Sequence, residues 1–163
     1  MPPTNPVSDI RDRLSKNNQR LAVAESVTGG RIQSLITAVS GASNFFEGGV
    51  TTYTIDQKVQ HLSVDREHAT SCNCVSAQVA REMATGVCDL FSVEFGIATT
   101  GYAQPDPENG ILKPHAFLCV CQRGKPNAMI ENRLDFNGEA DRNAAQDFFA
   151  TMAIGMLHEL VSR

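Results

Sequence analysis

Residues 21–25, LAVAE, form a short and almost wholly apolar run that ends directly in SVTGG, and this junction constrains the fold more than any other stretch. A strand whose residues are apolar in succession, without polar alternation, needs cover on both faces, as in a parallel sheet sandwiched between helices. Just downstream, Ile32, Leu35, Ile36 and Val39 recur at helical spacing until Ser40-Gly41 stops them. The unit is therefore strand, tight turn, helix.

The rest of the chain continues the alternation. Pro2, Pro3 and Pro6 predict a frayed entry over residues 1–7, after which Ser8 and Asp9 are placed to cap a helix to about Lys16. GGVTTYTI, residues 48–55, is rich in β-branched residues and reads as a strand, with Asp56 capping a short helix through His61. Ser76 is placed to cap a helix to about Phe91 whose apolar stripe is Val79, Met83, Val87 and Leu90. SVEFGIATTG reads as another strand, and YAQPDPENG after it as a surface loop. KPHAFLCVCQ and NAMIENRLDF pattern as an antiparallel hairpin joined by RGKP, and a strongly apolar helix is expected from about Glu139 to Val161. These elements predict a single α/β domain over residues 1–163, a three-layer α/β/α sandwich with a mixed β-sheet.

Composition narrows the function classes. A net charge of −4 gives no electrostatic reason to expect nucleic acid as a partner. No apolar stretch in MPPTNPVSDIRDRLSKN suits a signal peptide or a membrane helix, which predicts a cytoplasmic protein without a membrane partner. Five cysteines, an odd number, fit a reducing compartment. Their two CxC pairs lack the usual zinc-ligand spacing, and Cys119 and Cys121 on one strand would share a face and pack as small apolar groups.

The SVTGG turn is the candidate working site. A strand feeding a Gly-rich helix start leaves main-chain N–H groups pointing outward, beside a positive helix end, and so suits phosphate or an oxyanion. Ser26, Thr28, Gly29 and Gly30 lie in that small volume. The turn alone fits a plain capped helix at least as well.

Taken with SGASNFFEGGVTTYTIDQK, the AESVTGG turn resembles the CinA C-terminal domain family, the nicotinamide-nucleotide amidases also called nicotinamide mononucleotide deamidases. Members carry AESxTGG and then SGxSxxFxxGxVTYxxxxK, matched here by Ser40, Gly41, Ser43, Phe46, Gly49, Tyr53 and Lys58. The likeness continues through Val75-Ser76, Thr100-Gly101, Pro105, Lys113-Pro114, Phe136 and Gly138, nearly everything from Leu21 onward. It implies hydrolysis of nicotinamide mononucleotide to nicotinic acid mononucleotide and ammonia, within pyridine nucleotide recycling, with no metal and no cofactor. In that reading Ser26 is the nucleophile and Lys58 its base, a neutral lysine in a desolvated pocket taking the hydroxyl proton. Tyr53 would relay a proton or hold the lysine; a half-buried strand aromatic is the plainer alternative. Main-chain amides after Ser26 would stabilise the oxyanion.

Thr28, Gly29, Gly30, Thr100 and Gly101 are expected to face the small-molecule nucleotide substrate, with Thr100 also explicable as an ordinary β-branched strand residue. Arg142 would contact the phosphate, though an ordinary solvated helix arginine fits as well. The resemblance further implies a homo-oligomer and the stand-alone form of a domain often fused behind a larger one. Departures cluster on the substrate side. GYAQPDPENG replaces a GIAGP loop, so Tyr102 and Gln104 replace smaller residues. Ala116-Phe117 stands where glycine-threonine is usual, Gln146 where a second arginine is common, and FNGEADR where FxGDR is usual, so that Arg142 matches only across a two-residue insertion. The nucleophile, tyrosine and lysine are retained, which leaves two readings: an amidase, or a catalytically inactive paralogue acting as a binding or assembly module.

Overall fold

The computed structural model describes residues 5–139 and 141–163. Helices α1 (Pro6–Lys16), α2 (Arg31–Thr37), α3 (Ile55–Leu62), α4 (Arg66–Ser71), α5 (Ala77–Phe91) and α6 (Arg142–Ser162) surround strands β1 (Leu21–Glu25), β2 (Phe46–Thr51), β3 (Phe95–Tyr102), β4 (His115–Gln122) and β5 (Lys125–Asp135). The sheet runs β2-β1-β3-β4-β5. β1 pairs parallel with β2 and β3, while β4 pairs antiparallel with β3 and β5, so the sheet is mixed as expected.

Period-two alternation divides the sheet's side chains between two cores. Leu21, Val23, Ile97, Leu118 and Val120 join α1, α2 and α6 in one; Ala22, Ala24, Ala98, Cys119 and Cys121 join α3 and α5 in the other. The first core is built from branched and aromatic groups, the second from Ala, Cys and Val, so α5 lies close over the sheet. Cys119 and Cys121 do share a face, and the Cys121 thiol rests 3.9 Å from that of Cys88.

Several boundaries differ from the sequence reading, each for a local reason. α1 starts at Pro6 because Asn5 Oδ1 accepts from the Val7 N–H at 3.0 Å, and Pro needs no N–H bond at a helix start. Residues 1–4 of the expected frayed entry lie outside the described residues. β2 ends at Thr51, and Thr54 rather than Asp56 caps α3, leaving Asp56 in the first turn. Ser76 caps α5 as expected, but Leu90 is 45% exposed and Cys88 occupies the buried face in its stead. α4, capped by Asp65, fell outside the expected elements; α6 begins at Arg142 under an Asp141 cap, not at Glu139. The hairpin turns through Arg123 and Gly124, whose φ of +72° suits glycine. Pro126 is tolerated because β5 is an edge strand.

The approach of α5 to α3 fixes where α3 sits. A Cβ on Gly86 would overlap the Leu62 carbonyl oxygen and come within 2.8 Å of its carbon. Gly86→Ala gains up to about 1 kcal/mol in helix propensity but forces the helices apart, for a net loss of about 1–3 kcal/mol. Gly155→Ala, in open space on α6, serves as the counterpart and is expected to be neutral or stabilising. Urea midpoints that move together would refute this account.

Candidate active site

The turn after β1 is organised by a carboxylate. Glu25 is 0% exposed, and its side chain accepts from the N–H groups of Gly30 (3.0 Å), Ile32 (3.2 Å) and Gln33 (2.9 Å) and from Thr28 Oγ1 (2.6 Å). The donors that open the seven-residue α2 are thereby used within the chain. This corrects the expectation of an anion site there: Glu25 occupies the position a bound anion would take. Gly29 (φ +59°) and Gly30 (φ +100°) shape the turn, and the Gly29 N–H donates to the Ser26 carbonyl at 3.2 Å. Thr28 is buried, its hydroxyl shared with Thr99 at 2.8 Å. Thr28, Gly29 and Gly30 therefore support the turn from behind and do not line the cavity in front of it.

Ser26 and Lys58 do come together. Lys58 Nζ lies 2.9 Å from Ser26 Oγ and donates to the Thr52 carbonyl at 2.7 Å. The lysine is 1% and the serine 7% exposed. Thr54 capping sets the start of α3 so that Lys58, one turn in, points back under the end of β1. No carboxylate pairs with the amine among the described residues, and burial pushes its pKa below the ordinary lysine value; the neighbouring Cys74 thiol opposes this weakly. In its neutral form the amine offers a lone pair to the Ser26 hydroxyl.

The pair opens into a cavity of about 340 Å³ at the carboxyl ends of β1 and β3. Val27 lines it, and among the described residues the Val27 N–H has no acceptor, while its carbonyl is held by Gln146 Nε2 at 2.9 Å. Gln146 thus anchors the Ser26 turn from α6. Thr100 and Gly101 line the cavity as expected. Thr100 Oγ1 donates to the Cys74 carbonyl at 2.6 Å, tying β3 to the loop before α5, and a Cβ at Gly101 would press within 2.6 Å of Ala116 Cα. Tyr53 departs from expectation. It is 59% exposed, and its hydroxyl accepts from Arg142 Nη2 at 2.9 Å, with no hydrogen bond to Ser26 or Lys58 among the described residues. Arg142, exposed, also donates to Gln104 Oε1 at 3.3 Å at the cavity mouth.

Glu25, Thr52 and Asn73 stand outside the expected set. The one local signal for Glu25 is an acidic residue closing an otherwise apolar strand. The Thr52 carbonyl carries no side-chain signal at all.

Comparison with known proteins gives the family and the fold. The model of the CinA C-terminal domain matches residues 4–161. The chain is 32% identical to Protein MG115 of Mycoplasma genitalium over 158 residues, covering 94% of this chain and 96% of that protein. It is 42% identical to a CinA-like protein of Chlorobium limicola over 112 residues, 69% of this chain but 26% of the relative, so it spans about a quarter of such longer relatives. A crystal structure of a competence-damaged protein (CinA) superfamily protein from Klebsiella pneumoniae superposes with a TM-score of 0.86 at 27% identity, covering 96% of each chain. One from Escherichia coli gives 0.85 at 29%, covering 94% of this chain and 87% of the other.

Replacing Glu25 tests the turn. Glu25→Gln puts an amide NH₂ among four donors, and stability is expected to fall by about 2–4 kcal/mol in urea titration. An unchanged midpoint would remove Glu25 from this role.

Proposed function

Because the chain belongs to the CinA C-terminal domain family, we propose that it hydrolyses the carboxamide of a pyridine nucleotide, converting nicotinamide mononucleotide to nicotinic acid mononucleotide and ammonia. The observation that carries this reading is the buried Ser26–Lys58 pair, 2.9 Å apart, opening on a cavity of small-ligand size.

The chemistry follows from the groups present. Neutral Lys58 takes the Ser26 proton as Oγ attacks the amide carbon, and the oxyanion turns toward the Val27 N–H. Protonated Lys58 then donates to the departing nitrogen, so the C–N bond breaks and ammonia leaves a seryl ester. Water, deprotonated by the again neutral Lys58, attacks that ester; the acid is released and Ser26 Oγ recovers its proton. The Thr52 carbonyl holds the amine in line through both halves. Arg142 is the group suited to the substrate phosphate, and Tyr53 orients Arg142 instead of relaying a proton.

One observation favours the second reading, a non-catalytic binding module. Arg142 is bridged to Tyr53 and to Gln104, so the mouth is spanned by the protein's own side chains. Ammonia release separates the two. Wild-type protein is expected to release ammonia from nicotinamide mononucleotide, and Ser26→Ala and Lys58→Ala each to lower kcat by on the order of 10³-fold or more. Absence of release at high enzyme concentration sinks the amidase reading.

The pH profile tests the base. Activity requires the neutral amine, so kcat rises as pH passes upward through the Lys58 pKa. Since burial lowers that value, the ascending limb is expected below the unperturbed lysine value of about 10.4. A limb at or above it would exclude Lys58 as the base.

A further inference from the structure

The cavity wall contributed by the end of β3 holds an aromatic ring that the chemistry above does not use. Tyr102 lines the cavity, half-buried. Its hydroxyl accepts from Asn73 Nδ2 at 3.1 Å, and its ring packs against His115 with centroids 5.3 Å apart and planes tilted by 60°. His115 is in turn backed edge-on by Phe117 at 6.5 Å. Asn73 and Cys74 both have positive φ, +50° and +62°, an unusual pair for residues with side chains. The bonds from Asn73 to Tyr102 and from Thr100 to the Cys74 carbonyl hold this strained loop against β3. The ring is therefore fixed in place before any ligand arrives.

The charges around the cavity are separated. Asp106 borders it, its Oδ2 accepting from Asn109 Nδ2 at 2.6 Å, while Arg142 stands at the mouth and the buried amine is displaced toward neutrality. An aromatic ring and a carboxylate in the lining, with a guanidinium at the mouth, suit a ligand with a cationic flat ring and an anionic tail. An aromatic face attracts a cation through its quadrupole, and most strongly where water is excluded.

From this we infer that Tyr102 is a specificity-determining residue that selects a positively charged, planar pyridinium ring over its neutral dihydropyridine counterpart. The inference rests on the nucleotide-amide reading of the site. Ring oxidation state thus decides binding, because reduction removes both the charge and the full planarity of the ring. Oxidised nucleotide is held more tightly than reduced nucleotide of the same size and phosphate charge.

The test measures binding without turnover, in the Ser26→Ala background, by calorimetry with nicotinamide mononucleotide and with its dihydro form. The oxidised form is expected to bind roughly 5- to 30-fold more tightly. In Ser26→Ala/Tyr102→Phe, which keeps the ring and loses the Asn73 bond, the preference stays above about fivefold; in Ser26→Ala/Tyr102→Ile it falls below about twofold. Equal binding of the two forms, no binding of either, or a preference that survives Tyr102→Ile overturns the inference. Ammonia release by the wild type is scored separately. Release without ring discrimination defeats the inference alone, and discrimination without release defeats the amidase reading alone.

Discussion

Four donors converge on a fully buried carboxylate at the end of β1, and the position of nearly every functional group follows from that arrangement. A carboxylate out of water is costly unless its lone pairs are filled, and here the opening turn of α2 and the Thr28 hydroxyl fill them. Through Thr28 the network reaches Thr99 on β3, so the Ser26 turn is registered against the neighbouring strand as well as against its own helix. Ser26 is held by consequence: it and Val27 are the two residues between the carboxylate of Glu25 and the hydroxyl of Thr28 that binds it. Gln146 adds a hold from α6 on the Val27 carbonyl, while the Val27 N–H, at the cavity, has no acceptor among the described residues.

The layered fold was largely legible because its signals are local. The LAVAE run, the Ser76 cap and the alternating faces of the β4–β5 hairpin each follow from residues a few positions apart. Ser26 and Lys58 were legible for a different reason, a motif spacing shared with a known family. Local pattern fails where the deciding partner is remote. Thr28 looked substrate-facing until Thr99, 71 residues away, took its hydroxyl; Tyr53 looked like a relay until Arg142, 89 residues away, bonded it. The short α4 escaped notice because six residues carry too little periodicity to register. Thr54 and Asp56 are both good capping types two residues apart, and only the point where β2 leaves the sheet chooses between them.

The same remoteness explains how the departures on the substrate side are tolerated. Tyr102, Gln104 and Gln146 each find a defined partner: Asn73, Arg142 and the Val27 carbonyl. These bonds join the β3 end, the following loop and α6 around one cavity. Tyr102 and Gln104 have been built into the wall, and the wall's chemistry has changed with them.

Lys58 carries one more consequence, concerning the stability of the whole chain. Burial holds its pKa below the ordinary lysine value in the folded state, whereas an exposed lysine in the unfolded chain stays protonated up to about pH 10.4. Between those two values the unfolded chain binds more protons at this residue than the native one does. Folding there releases a proton to solvent, and this residue's contribution makes the native state more stable as pH rises through the window and less so as it falls. The buried amine beside Ser26 thus also enters the proton balance of folding.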